Sequence, residues 1–357
     1  MTRADRANPA LAEFLEKSRR LEGKRLTESI PKEYFEPRVG RGLVGFLLSV
    51  GIYGGSVAGV LLAPHWLLWI PLWITAGLGG WGLHCIAHDC GHGSFSRSRG
   101  LNVLVGSVAL MPLLYPFHSW RHVHNMHHAH TNNIELDTDW RPLPPHLYDR
   151  LSPLGKVVYA GTRTWAFWGG TIRYWWVSGF RPGFFPKASM RREVRRSIAF
   201  TVVAGVAHLS MLVAVAGPEA LLTGFLAPWL AGHLWFSATT LMHHSASDLP
   251  FLDSRQWTRN AGRLLMTTDY TYPAPLRLLT HNISIHTPHH VAPAIPFYNL
   301  PQAQAALKQA HPGMVREHKL TPAALWDILR NLHLHDAEHG GFYQDFGRRP
   351  VPPRETT

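Results

Sequence analysis

The sequence predicts an all-α integral membrane protein, with four transmembrane helices beneath a cytosolic, histidine-rich helical cap. Three observations predict it. Apolar runs come in two pairs, residues 42–63 with 66–84 and 198–216 with 221–242, each pair split by a short break. Three histidine clusters lie beside these runs and outside them. Two crossings precede the first two clusters and two more precede the third, so all three meet on one side.

Spanning a bilayer takes roughly 20 mostly apolar residues, which the four runs approach or reach. Pro64-His65 reads as a tight extracytoplasmic turn, and Gly217-Pro218-Glu219 as another. Neither turn carries Lys or Arg, so the opposite, basic side is the cytoplasm. Residues 101–115 are apolar but too short to cross, and read as re-entrant or interfacial. Residues 157–180 interleave Trp and Tyr with Arg, as in a helix lying at headgroup level. His208 and His233 interrupt the second pair of runs; each reads as a helix-to-helix hydrogen bond and not as part of a site.

Composition sets bounds on this picture. Over 357 residues, 46% are apolar, 16% charged and 14 are Trp, which fits a membrane protein or a large soluble enzyme. A mean hydropathy near zero argues against a chain mostly buried in lipid. The net charge of +12 suits anionic headgroups or an acidic partner protein. No recognition motif for nucleic acid accompanies it, so none is expected as a partner. Cys85 and Cys90 give no disulfide framework and fit cytoplasmic exposure. The expected organisation is a cytosolic lead (1–40), a membrane domain (41–300) and a cytosolic tail (301–357), with both termini in the cytoplasm. The lead, with Leu11, Phe14 and Leu15 at helical spacing, reads as a loosely docked surface helix without a cleavable signal. The tail reads as helical over 302–311 and 322–333, and disordered over 348–357.

The chemistry is concentrated in the histidines. In His124-x-x-His127-His128, a helical step of about 100° brings the three imidazoles to one face. On the same wheel His118 and His122 fall on the far side, and His130 points away. His88-Asp-Cys-Gly-His92 places two at i and i+4, with His84 a turn earlier. His286-Thr-Pro-His289-His290 repeats the pattern, although Pro288 breaks a continuous helix and suits the start of a new one capped by Thr287. Neutral imidazole is the commonest side-chain metal ligand. Clusters of two, three and three supply too many nitrogens for one ion and enough for two, so the cap holds a di-metal site. Imidazole suits Zn, Cu, Fe or Ni; an all-imidazole pair beside lipid suggests redox chemistry on an apolar substrate, which favours iron. Asp89, Glu135, Asp137 and Asp139 are placed to orient ligand N–H groups.

These residues resemble the membrane fatty acid desaturases, specifically the acyl-lipid Δ12 and ω3 type. The resemblance covers most of the chain. It runs through His88-Asp-Cys-Gly-His92, Tyr115-Pro-Phe-His-Ser-Trp-Arg121, His124-Asn-Met-His-His128 with Thr131-Asn132, Leu241-Met-His-His244 and Thr280-His-Asn-Ile-Ser-Ile-His-Thr-Pro-His-His290. The segment Ile295-Pro-Phe-Tyr-Asn-Leu300 is highly specific to this type. It implies a non-haem di-iron centre that uses O2 and two electrons to remove two hydrogens from an acyl chain, leaving a cis double bond. By position, it carries the ligand role to His88, His92, His124, His127, His128, His286, His289 and His290. His244 is similar to an additional ligand after the last span, with His243 adjacent as the alternative, and His84 is left as an orienting or packing residue. His311-Pro-Gly-Met314 resembles a cytochrome b5 haem motif but lacks its final Gly, and reads as a turn. The resemblance therefore implies a separate electron donor, such as ferredoxin or cytochrome b5, and a fatty acyl or acyl-lipid substrate drawn from membrane lipids. A carotenoid ketolase or hydroxylase uses the same histidine grammar, and a His-rich metal transporter is the alternative outside enzymes. An apolar tunnel must lead the acyl chain to the metals, with Leu83, Leu104, Val108 and Leu114 expected along it.

Overall fold

The structure is a computed structural model that describes residues 8–353. The lead is α1 (Pro9–Arg20), capped by the Asn8 side chain. Contrary to expectation it is firmly docked: Leu11 and Leu21 are buried in one hydrophobic core with Leu249, Leu264 and Leu300, and Asn8 donates to the carbonyl of His339.

The long helices are α2 (Val39–Leu62) and α3 (Trp69–His92). A 3-10 turn at Trp66–Leu68 joins the first pair of apolar runs. The chain continues through α4 (Arg99–Ala109), α5 (Phe117–His130), α6 (Pro145–Asp149), α7 (Pro153–Arg163) and α8 (Gly169–Tyr174). The long helix α9 (Ala188–Ala216) follows, and then α10 (Ala227–His244). Among the described residues, three helices are long and apolar enough to cross a membrane: Val39–Leu62, Trp66–His92 and Ala188–Ala216. The fourth apolar run is a π-helical turn, Leu221–Leu226, feeding α10. Outward-facing apolar side chains such as Val44, Leu47, Val203 and Val206 give α2 and α9 an apolar exterior.

Helix α3 is packed between α2 and α10, and its glycines make that approach possible. A Cβ on Gly79 would lie 2.6 Å from the Tyr53 backbone nitrogen, and one on Gly77 would lie 2.5 Å from the Ala231 backbone. The same helix runs without interruption from its apolar start through the first histidine cluster, ending at His92. The region 157–180 is not one helix. It breaks between α7 and α8, and ends in a π turn at Trp175–Gly179.

The expectation of an all-α chain needs correction. Past α10 come α11 (Arg259–Leu264), β1 (Thr268–Thr271), α12 (Ala274–Leu279), α13 (Thr287–Val291) and α14 (Leu300–Ala310). These lead to β2 (Arg316–Lys319), α15 (Pro322–Asn331), β3 (Leu334–Asp336) and β4 (Phe342–Gln344). β1 pairs with β2 in parallel, and β3 with β4 antiparallel. Strands of three or four residues carry too little periodicity to be read from sequence. The tail is correspondingly less free than expected. Tyr343 is buried, Gly341 accepts from the Phe251 N–H, and Arg348 pairs with Asp149 at 2.5 Å. The expected disorder over 348–357 therefore does not hold through residue 353; residues 354–357 lie outside those described, as do residues 1–7 of the lead.

Candidate metal centre and its relatives

Four helices and one loop bring the histidines together. α3 supplies His88 and His92, α5 supplies His124, His127 and His128, and α10 ends on His244. α13 and the residue before it supply His286, His289 and His290. Two sets result: His88, His92, His124, His128 and His289 in one, and His127, His244 and His290 in the other. Within each set one donor nitrogen per residue lies within 4.8 Å of all the others. Nitrogens bound about 2.1 Å from a single ion stand at most about 4.2 Å apart, so each set needs little movement to close on one. His286 belongs to neither set by that measure, but its Nε2 is 3.1 Å from Nε2 of His290.

The surroundings decide which nitrogen of each ring faces inward. Asp137, itself buried, accepts from Nδ1–H of His127 at 2.7 Å. Thr131 donates to the His127 carbonyl and accepts from Nδ1–H of His290 at 3.1 Å. His244 turns Nδ1 toward the Met266 carbonyl. Each arrangement leaves Nε2 as the inward nitrogen. Nε2 of His127 then meets Nε2 of His244 at 3.1 Å, and Nε2 of His128 lies 3.0 Å from Nε2 of both His124 and His289. Lone pairs this close repel unless a proton or a cation lies between them. Both nitrogens of His88 and Nε2 of His92 are buried with no hydrogen-bond partner among the described residues. A donor set of converging, unpartnered imidazole nitrogens fits a pair of metal ions.

Electrostatics favour the same occupancy. Burial, reinforced by neighbouring imidazoles, holds His124, His128, His289 and His290 well below the usual histidine pKa, so these rings are neutral at pH 7, the form that a metal ligand requires. Burial also works to lower His127, but the charge and hydrogen bond of Asp137, with Asp139 behind, outweigh it and leave the pKa raised. Without a metal, a proton on His127 can bridge to His244; a metal would displace it.

Of the four acids expected to orient ligands, Asp137 lies closest to a ring of the two sets. Asp89 accepts the backbone N–H of Phe297 at 2.8 Å, tying the first cluster to the Ile295–Leu300 loop, and its other oxygen is 3.9 Å from Nδ1 of His88. Glu135 is bound to Ser254 at the surface. Asp139 is half-buried, and desolvation pushes its pKa up to about 6. Sequence reasoning missed Asp269. Its Oδ1 accepts the backbone N–H of His286 at 2.7 Å and of Thr287 at 2.6 Å, and Oδ2 accepts from Gln304. Thr287 is therefore the first residue of α13 and not its cap; His286 holds the cap position, and a distant carboxylate does the capping. A motif read along the chain cannot reveal a partner 17 residues upstream.

His122, His130, His84, His243 and His233 lie outside both sets. His122 faces Glu193 at 3.1 Å, alongside Arg121, and His130 lies against Trp257. His84 is buried between Trp81, Trp120 and Phe236. His243 turns Nδ1 to the Thr268 carbonyl at 2.6 Å. His233 bonds Thr171 at 2.8 Å, as a helix-to-helix contact should.

A cavity of about 60 Å³ lies against the cluster, walled by Trp81, Tyr115, Trp120, Tyr174, Phe236 and Ile283 and reaching His88, His124 and His127. None of the four residues expected along a tunnel lines it. Leu104 and Val108 are 59% and 40% exposed on the outer face of α4, and Leu83 is buried in the packing around α3. Leu114 packs toward Gly205 of α9. The amphipathic turn of α4 sends Leu104 and Val108 outward, which sequence proximity to the histidines did not reveal.

Residues 64–321 match the family described as Fatty acid desaturase. The chain is 35% identical to an sn-1 oleoyl-lipid 12-desaturase of Picosynechococcus sp. over 331 residues, covering 93% of this chain and 95% of that one. It is 33% identical to the enzyme of the same name from Synechocystis sp., covering 90% and 91%. An omega-6 fatty acid desaturase, chloroplastic, from Brassica napus is 32% identical over 93% of this chain and 74% of its own. Similarity over this length favours neither the ketolase or hydroxylase reading nor the transporter. With its apolar helices and convergent imidazoles, the chain belongs to the fatty acid desaturase family of membrane oxidoreductases.

Proposed function

We propose that this desaturase acts on an acyl chain carried by a membrane lipid, and that it introduces a cis double bond with O2 and two electrons at two non-haem irons. The observation that carries the reading is the pair of imidazole sets beside a narrow, mostly aromatic cavity. One iron is assigned to His88, His92, His124, His128 and His289; the other to His127, His244 and His290, with His286 beside it. Relatives named for oleoyl lipid and position 12 support the same position here.

When bound, the iron pair would supply the O2 activation needed to attack an unactivated C–H bond. The protein's own contribution is placement. Asp137 and Thr131 fix two ring tautomers, so that Nε2 faces inward in each. Trp81, Trp120, Phe236 and Ile283 offer an acyl chain an apolar wall and exclude water. At this width a chain must be threaded and not folded. The methylenes carry no polar handle, so the reacting pair is selected by how far the chain can enter.

We assign four crossings: the three long apolar helices and a fourth made of Leu221–Leu226 with α10. That number would bring α5, the end of α10 and α13 to one face, and the basic loops support reading that face as cytoplasmic. Electrons then come from a separate cytosolic carrier. The test is expression in a host lacking polyunsaturated lipids, followed by lipid mass spectrometry. New dienoic acyl chains with a double bond at position 12 are expected. A keto or hydroxy product, or unaltered lipids from an iron-loaded protein, would overturn the reading.

A further inference from the structure

His243 turns its bonded nitrogen away from the histidine sets, yet it is wholly buried and ring-stacked on His286, the ring beside them. Its ring lies over that of His286 with centroids 4.3 Å apart and planes at 26°. On the other side, Tyr270 is 5.8 Å from His243, and His318 is 6.1 Å from Tyr270. Separations of this size are ordinary aromatic contact. The file is held by backbone. β1 and β2 pair so that Tyr270 stands directly opposite His318, and the Thr268 carbonyl of the same strand fixes His243.

The file ends at the surface. A groove of about 770 Å³ runs between the end of α10, the β1–β2 pair and α15, and Tyr270, His318, Lys319, Trp326 and Arg330 all line it. Trp326 is 64% exposed on α15, outside the apolar helices. Lys319 and Arg330 are exposed, while the groove's carboxylate, Asp327, accepts from Asn331. An exposed aromatic flanked by cations suits a small, short-lived interface with an acidic protein.

We propose that this groove docks an acidic one-electron carrier protein, and that His318, Tyr270 and His243 form the path by which its electrons reach the histidine cluster. The proposal rests on reading that cluster as a redox metal centre. Electron tunnelling weakens steeply with each gap, and a file of touching rings leaves none wide. Each carrier is oxidised by one electron, and the rings end unchanged. Two carriers and two protons from solvent complete the balance: the acyl chain loses two hydrogens, and both atoms of one O2 leave as water.

The test uses the full-length, iron-loaded protein in lipid nanodiscs, with a plant-type ferredoxin and a soluble cytochrome b5 domain as probes. Lys319→Glu combined with Arg330→Glu should weaken binding of at least one carrier about tenfold at low salt and flatten its salt dependence. Trp326→Ala should weaken it at all salt concentrations. Tyr270→Leu should slow oxidation of saturating carrier about tenfold or more, whereas Tyr270→Phe, which keeps the ring, should not. Reduction by dithionite with a small mediator should keep its rate in each. If Tyr270→Leu fails to hold iron, His318→Leu decides at the groove end. Docking is overturned if neither carrier binds the unaltered protein, or if both bind the variants equally well. The path is overturned if the Leu variants accept carrier electrons at the original rate. Absence of iron from the unaltered protein would instead sink the metal reading, while carrier affinity still tests the groove.

Discussion

His127 and His122 lie five residues apart on one helix, yet they have different fates. His127 faces His244 and is oriented by Asp137, while His122 faces the Glu193 carboxylate on the opposite side. His127→Ala should abolish desaturation and release metal, whereas His122→Ala should retain most of both. Equal loss in product assays and metal analysis would show that Glu193 and His122 belong to the site. Acidification tests the neutral rings. The pKa values of His124, His128, His289 and His290 lie below the ordinary value of 6.5, so below that pH an unfolded chain binds more protons than the folded one. Their contribution to stability is present above about pH 6.5 and is lost as pH falls toward the folded pKa. His127, with its raised pKa, has the opposite sign, but one ring opposes four. Bound metal and thermal stability should therefore both decline from about pH 6.5 down to pH 5. Metal retention that stays flat over that range would contradict the assignment of these rings as ligands.

At the scale of elements, α3 does two jobs. Its first half is apolar enough to lie in lipid, and its last turn carries two of the imidazoles, so any shift of the helix moves the site. Gly77 and Gly79 set its distance from α10 and α2. Gly79→Ala would push a methyl into the Tyr53 backbone, which cannot swing aside. A loss of about 1–3 kcal/mol is expected, with weaker metal retention. Thermal unfolding in detergent measures it, and an unchanged midpoint would mean that α2 and α3 are looser than their packing indicates. The third histidine cluster depends differently on its surroundings: α13 has only five residues and is capped by Asp269. Burial raises that carboxyl to about 6, even though hydrogen bonds from Thr287, Gln304 and His286 pull it down.

At the scale of the molecule, the two imidazole sets make a stoichiometric prediction. Metal analysis of the purified protein should find two irons per chain, since each set supplies enough nitrogens for one ion. One zinc and no iron would refute both the centre and the redox chemistry assigned to it. The sequence alone was sufficient for three long apolar helices, for the gathering of His88, His92, His124 and His128, and for the family. Those signals are local: helical period, run length and motif spacing survive in one dimension. Tertiary structure decided the rest, because the deciding partners are distant in sequence. It turned His244 and not His243 toward His127, and placed Asp269 beneath α13 as its cap. It also paired Tyr270 with His318 across strands too short to read, and put aromatic residues of α3, α5 and α10 around the cavity while Leu104 and Val108 of α4 face outward. Spacing along a chain says which side chains share a face; only packing says what that face meets.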